Sequence, residues 1–373
     1  MPSFQTQPVS RRRVLQLAGL GIVSGCVLPR AFAQDAFGQA LLKGAGSTFV
    51  MPLVEQWLRL YRSAATGAEL YAGSAGLDGD LLGRAALDYE AIGSQAGLLR
   101  LQSGAVDFAF SELPLSAQEL TRQGLIQIPV VAGGVAIVVH LPALTGPLRL
   151  DGLTLAGIFR GRITRWNDPA IASLNPEHTL PTSAIVTVHR GEGSGTTYTL
   201  TRYLATQDPE WRDAIGVDAV VRWPTGTAAR GSGGVAQALA ATPGSIGYLD
   251  AVQAQAKGLN VVELKNAAGR FVSPSAQAIE AAAQAVPWRA SEQTQPQFID
   301  APGEASYPIV ATVLAVLNKQ PGSKEDRRAR AFLAWALANG QTTARQLGYV
   351  ALPAALAQEV RGQLITRASG RTP

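Results

Sequence analysis

The chain of 373 residues holds one cysteine, Cys26, two methionines and three histidines, His140, His178 and His189. A single thiol excludes a disulfide scaffold and a thiolate zinc cage. No two histidines stand at metal-ligand spacing, so neither a metal centre nor a cofactor is expected. Charged residues are sparse at 16%, yet 47% hydrophobic content is not the profile of a disordered chain. Beyond the N-terminus no segment approaches about 18 unbroken apolar residues, which argues against a membrane-embedded body. No repeat with a period of about 20–50 residues is visible, so a solenoid is excluded. The length suits about two domains of ordinary size.

The formal charge of +5 comes from 32 Lys and Arg against 27 Asp and Glu. Arg11, Arg12, Arg13 and Arg30 all lie in residues 1–33, which hold no acidic side chain. Without those four, 28 basic side chains face 27 acidic ones. The basic balance is therefore a property of the N-terminus, and a nucleic-acid partner is not expected.

That N-terminus reads as an export signal. Ser10-Arg11-Arg12-Arg13-Val14-Leu15 precedes an apolar stretch from Val14 to Leu28, broken by Pro29 and followed by Ala31-Phe32-Ala33. Basic, apolar and small-residue regions in that order form a secretory signal, here of twin-arginine type, over residues 1–33. Read instead as an anchor helix, about 15 weakly apolar residues with three glycines are short for a bilayer. A rival cut is the lipobox-like Val23-Ser24-Gly25-Cys26, which would lipidate Cys26 and tether the protein. Pro29 and the Ala-x-Ala pattern favour cleavage after Ala33. Either cut places the folded body in the periplasm.

Strand-like and amphipathic helical runs alternate through the mature chain, which predicts an α/β architecture. Ile126–His140 is β-rich around an expected kink at Gly133-Gly134, and Tyr307–Asn318 is a second long β-rich run. Ile185–His189 and Ser245–Tyr248 read as shorter strands. Ser323-Lys324-Glu325-Asp326 carries a capping-box pattern that opens a helix. Gly67–Asp88 reads as loop with one helical turn. No low-complexity linker separates sequential domains, so lobes built from discontinuous segments are expected.

A local pattern recurs three times. Gly44-Ala45-Gly46-Ser47-Thr48-Phe49, Ile92-Gly93-Ser94-Gln95-Ala96-Gly97 and Arg190-Gly191-Glu192-Gly193-Ser194-Gly195-Thr196-Thr197 each precede a helical run. Glycine admits close backbone approach, Ser and Thr add hydroxyl donors, and a helix start offers unpaired N–H groups. Converging, such ends would bind a tetrahedral oxyanion, with Arg190 adding a charged fork. Each alone reads first as an ordinary helix cap, and only the three together bring the anion reading level with it. None is a P-loop, lacking the Lys, and none is a Gly-x-Ser-x-Gly nucleophile elbow. Glu112 ends a strand-like run, a ligand-facing location in α/β sheets, although taken alone it reads first as a solvated loop carboxylate. Gly231-Ser232-Gly233-Gly234 is a fourth helix start, expected to be structural.

Taken in order, GAGSTF (44–49), GSQAG (93–97), VDFAFSELPLS (106–116), IPVVAGGVAIVVHLP (128–142), LAGIFRGRITRWNDPAIASLNP (155–176), RGEGSGTTYTLTRYLA (190–205), PGSIGYLD (243–250) and YPIVATVLAVLNK (307–319) resemble the substrate-binding proteins of high-affinity phosphate ABC importers. The resemblance covers nearly the whole mature chain. It implies a type II periplasmic-binding fold, two α/β lobes joined by two crossover strands. Lobe I is then 34–139 with 308–373, and lobe II is 140–307. Carried over by position, the phosphate-binding residues are Thr48, Phe49 (through its N–H), Ser94, Glu112, Arg190, Ser194, Gly195 and Thr196. Glu192 falls where the family pairs an acidic residue with the binding arginine.

The implied partners are inorganic phosphate and an inner-membrane permease with its ATPase, and the implied state is a monomer. Four departures stand out: Glu112 where the family has Asp, Val50-Met51 for Pro-Ala, Gln95-Ala96 in a Ser/Gly-rich stretch, and residues 67–88, resembling an insertion of about 20 residues. They leave open another oxyanion (sulfate, molybdate, arsenate or a phosphate ester). An exported phosphatase would need an activated nucleophile, and the proximity of His189 and Ser194 in sequence supplies no such motif. The chain is therefore not expected to be an enzyme.

Overall fold

The computed structural model describes residues 41–65, 86–288, 298–320 and 323–368. The export segment with Cys26, and most of 67–88, lie outside the described residues. Residues 86–88 are not loop, as 67–88 was expected to be: they open a strand.

A mixed sheet forms the spine. Its main strands in chain order are β1 (Leu41–Gly46), β2 (Ala86–Glu90), β3 (Phe108–Ser111), β4 (Leu125–His140), β5 (Val186–Arg190), β6 (Thr227–Ala229), β7 (Ser245–Asp250) and β8 (Ile309–Asn318). Their order across the sheet is β2-β1-β3-β8-β4-β7-β5-β6. The helices that frame the site are α1 (Met51–Ala65), α2 (Ser94–Gln102), α3 (Gly195–Gln207), α4 (Gly231–Ala241) and α5 (Ala251–Ala256); α6 (Lys324–Asn339) packs behind. No helix among the described residues is long and apolar enough to cross a membrane.

Strand β4 joins the two halves. Leu125–Gly134 pair antiparallel with β8, and Val135–His140 pair antiparallel with β7. Its first 15 residues are buried, as expected of a strand covered on both faces. Gly133 and Gly134, where a kink was expected, have no positive φ and sit within paired strand, directly before β4 changes partner from β8 to β7. Their glycines answer a crowding problem instead. A Cβ on Gly133 would lie 2.7 Å from the Phe49 ring, and one on Gly134 2.6 Å from Ile279. The irregularity falls at Val130, where register slips between Val313 and Leu314 beside Pro129, a residue with no N–H to donate.

Aromatic clusters back each half. Tyr61, Phe108, Phe110 and Phe332 pack behind the first, with Trp57 donating its indole N–H to Gly340 O at 3.0 Å. Phe159, Trp211, Trp223 and Tyr248 pack behind the second. Helix α6 starts at the expected capping box, Ser323 and Asp326 exchanging side-chain bonds with each other's N–H, each at 3.0 Å.

The turn from β1 into α1 depends on Gly46. Its φ is +124°, and a Cβ there would sit 2.2 Å from Phe110 O. Gly46→Ala therefore combines a disallowed backbone with a clash against fixed main chain. It is expected to lower stability by about 2 kcal/mol or more, read as a fall in the urea midpoint by circular dichroism.

Candidate functional site

Four helix starts meet where the two halves of the sheet face each other. From the first half come the turn before α1 and the start of α2, and from the second the starts of α3 and α4. Two are capped by their own hydroxyls. Ser47 Oγ accepts from Phe49 N and Val50 N at 3.1 and 3.4 Å, and Ser194 Oγ accepts from Thr197 N at 3.2 Å. The other two, begun by Gly93 and Arg230, have no side-chain cap. An ordinary capping role explains the first pair and not the second.

Glu112, directly after β3, is buried among these ends. Ser47 Oγ donates to one carboxylate oxygen, and Ser94 Oγ donates to the other at 2.8 Å. Gly195 N in turn donates to Ser94 Oγ at 3.2 Å, which links the start of α3 to the first half. The longer Glu fits because residue 195 has no side chain: a Cβ there would lie 2.2 Å from Glu112 Oε2. Burial raises the Glu112 pKa, against the two serine bonds and the Arg190 charge, which lower it.

Arg190 closes β5 with its side chain 2% exposed. Its Nε donates to Glu192 Oε1 at 2.7 Å, Nη2 donates to the same oxygen, and Nη1 reaches Thr196 Oγ1 at 3.4 Å. Its own N–H donates to Tyr248 Oη at 3.1 Å, and Tyr248 Oη pairs with Thr197 Oγ1 at 2.6 Å. Glu192 thus balances the guanidinium as the motif implied, and it also accepts from Gly231 N at 3.0 Å. Arg230 precedes this fourth helix start in sequence, and Glu192 reaches it through space. Ser232 is fully buried there, its N–H donating to Thr48 Oγ1 and its hydroxyl pairing with the same oxygen, both at 3.2 Å.

All the predicted residues therefore lie in one region: Ser94, Glu112 and Gly195 in one connected group, Arg190, Glu192 and Thr196 in another, Thr48 and Phe49 on the β1–α1 turn, Ser194 capping α3. Gln95, one of the departures from the motif, also bridges the halves, its N–H donating to Gly193 O at 3.3 Å. Sequence reasoning missed Ser47, Ser232, Asp250 and Gln253. Ser47 sits inside the quoted GAGSTF motif, so its hydroxyl was available to be read. Asp250 ends β7 and is fully buried; its Oδ1 accepts from Gln253 N at 2.8 Å as the cap of α5. Nothing near it in sequence marks that burial.

Residues 32–339 match the family model of the PBP superfamily domain. The sequence is 38% identical over 321 residues to the phosphate-binding protein PstS of Xylella fastidiosa (strain 9a5c), across 86% of this chain and 83% of that protein. The chain belongs to the PstS family. The PstS protein of Pasteurella multocida is 36% identical over 339 residues, 90% of this chain and 93% of that one. A crystal structure of a high-affinity periplasmic phosphate-binding protein, PfluDING, solved with phosphate bound, superposes with a TM-score of 0.65 at 24% identity, covering 86% and 93% of the two chains. The mixed α/β architecture is the type II periplasmic-binding fold of the PstS proteins.

Within this PstS-family site Asp250 has its pKa pushed up to about 7. Burial is the largest cause and the Glu112 charge adds to it, against hydrogen bonds from Gln253 N–H and the Ser232 hydroxyl. Unfolded, the same group titrates near 3.8. Between those values the folded protein binds more protons than the unfolded chain, so stability falls as pH rises from about 4 to about 7 and is level above. Asp250→Asn removes that slope. Its stability relative to wild type is expected to rise across the window by up to about 4 kcal/mol, read from urea midpoints at both ends.

Proposed function

We propose that this protein binds inorganic phosphate in the periplasm and delivers it, as a monomer, to an inner-membrane permease and its ATPase. The observation that carries the reading is the buried Glu112 carboxylate, set among helix starts from both halves and beside a guanidinium already neutralised by Glu192. Thr48, Phe49 N–H, Ser94, Arg190, Ser194, Gly195 and Thr196 are the proposed ligands. Residues 34–139 with 308–373 and residues 140–307 are the proposed lobes, with closure between them excluding water. The PstS names of the relatives support the ligand and the transport role.

Selectivity follows from protons. Phosphate near neutral pH keeps at least one, which Glu112 accepts as a hydrogen bond; sulfate has none, so its oxygen would face a carboxylate oxygen with no donor between. Such a buried, unsatisfied charged contact costs about 1–3 kcal/mol or more, while the dipolar donors attract either anion. No catalytic role is proposed. His189 Nδ1 lies 3.1 Å from Arg190 O, its ring stacks on Trp223, and no hydrogen bond joins it to Ser194. Serine activation needs that bond.

Calorimetric titration with phosphate, sulfate, molybdate, arsenate and a phosphate monoester tests the reading. Preferred binding of any anion other than phosphate overturns it. Glu112→Gln is expected to narrow the phosphate-over-sulfate ratio by about tenfold or more, and Arg190→Ala to weaken phosphate by at least about tenfold. Unchanged values would remove each residue from its role.

Export by a twin-arginine signal ending at Ala33 is proposed from the N-terminal pattern. Mass spectrometry of the exported protein is expected to find it starting at Gln34; a diacylated chain starting at Cys26 would establish the tethered alternative.

A further inference from the structure

The β1–α1 turn must present N–H groups and keep carbonyl oxygens away from a bound anion, because a C=O dipole aimed at the anion would repel it. Three successive carbonyls of this turn are each held by a side chain from a different element. Tyr89 Oη donates to Ser47 O at 3.0 Å, Gln253 Nε2 donates to Thr48 O at 2.9 Å, and Tyr349 Oη donates to Phe49 O at 2.8 Å. Tyr89 on β2 and Tyr349 beside the short strand Val350–Ala351 belong to the half of the sheet that carries the turn. Gln253, in the first turn of α5, reaches it from the other half.

We infer that Gln253 is a positioning residue for anion binding: by holding the Thr48 carbonyl from the other half it fixes the Thr48–Phe49 peptide, whose N–H meets Ser47 Oγ at 3.1 Å and so sets the serine that donates to Glu112. The inference rests on the phosphate reading. In a trans peptide C=O and N–H point in opposite directions, so fixing one aims the other. Gln253 is itself fixed. Asp250 Oδ1 takes its N–H at 2.8 Å and Oδ2 takes its Nε2 at 2.5 Å, leaving the amide no freedom to rotate its donor away from Thr48. Asp250 also accepts from the Ser232 hydroxyl. Ser232 in turn binds Thr48 Oγ1. Thr48 is therefore held at both its hydroxyl and its carbonyl by one connected set of groups from the opposite half.

The test compares wild type, Gln253→Met and Gln253→Glu by phosphate calorimetry at about pH 5.5 and pH 8, with melting temperatures without phosphate. Methionine keeps the length and loses the donor, so Q253M is expected to bind about tenfold more weakly at both pH values, its melting temperature within about 2 °C of wild type. Glutamate donates to Thr48 O only when protonated. Q253E is expected to approach wild type at the lower pH and to lose affinity at the higher, where its charge faces Asp250, Glu112 and the Thr48 carbonyl. Asp250, bonded directly to position 253, titrates with Q253E as a coupled pair, so Q253M, which carries no charge, reads the lost donor alone and Q253E reads the pair. Affinity of Q253M within about twofold of wild type, or Q253E that does not recover on acidification, overturns the role of Gln253 while leaving phosphate binding intact. Wild type that takes up no phosphate overturns the phosphate reading and this inference with it. Should Q253M fail to fold, the pH response of Q253E decides alone.

Discussion

The proposed site is organised around one buried carboxylate. Glu112 is desolvated and meets two serine hydroxyls rather than a cation as its direct partners. The one buried cation beside it, Arg190, is already paired with Glu192. Glu112, Glu192 and Arg190 together carry a negative formal charge, so attraction for a further anion cannot come from net charge. It has to come from oriented dipoles, the N–H groups of helix starts and the hydroxyls of Ser and Thr. On the proposed reading, a site built this way would tell oxyanions apart by protons rather than by charge, because its central group accepts hydrogen bonds and repels bare oxygen.

Crowding around that carboxylate sets the remaining constraints. The start of α3 approaches so closely that a Cβ at Gly195 would overlap Glu112, and one at Gly193 would fall 1.9 Å from Gln95 Oε1. The same proximity brings Ser94 within reach of Gly195 N and Gln95 N within reach of Gly193 O. Glycine at 193 and 195 is thus a requirement of contact between the two halves. It is also why glutamate can stand where a motif of this kind carries aspartate: the extra methylene occupies room that an absent side chain leaves.

Features set by neighbouring residues were legible in the sequence, and features set by distant ones were not. Caps at Ser194 and Ser323, the strand leading to Arg190 and the strand end at Glu112 each follow from a few adjacent residues. Ser232 was read as structural from its local sequence, but its partner Thr48 lies 184 positions away and Glu192 reaches the adjoining Gly231 from 39 positions away. Gly133-Gly134 suggested a kink because glycine in a strand commonly marks one. Here the cause is the Phe49 ring, packed against a strand some 80 residues further along the chain, and no local pattern records it. The burial of Asp250 is invisible for the same reason, since Ser-Ile-Gly-Tyr-Leu-Asp is an ordinary strand followed by an ordinary cap.

The contacts that join the halves at the site are few and polar: Thr48 with Ser232 and Gln253, Ser94 with Gly195, Gln95 with Gly193. Each exchanges readily for water and contributes about 1 kcal/mol net, so together they hold the halves only modestly. Large apolar surface across the cleft would favour the closed form whether or not an anion were present, and a ligand would then have little influence on it. On the proposed reading, weak bonds between the halves would leave an anion bridging donors from both sides to supply the difference. The buried carboxylates strengthen this dependence. Without an anion, Glu112 and Asp250 are two nearby acidic groups held out of water, whereas a protonated oxyanion brings a donor to one of them. On the proposed reading, the groups that would make closure costly for the empty protein would be the same ones that make it favourable with the right ligand.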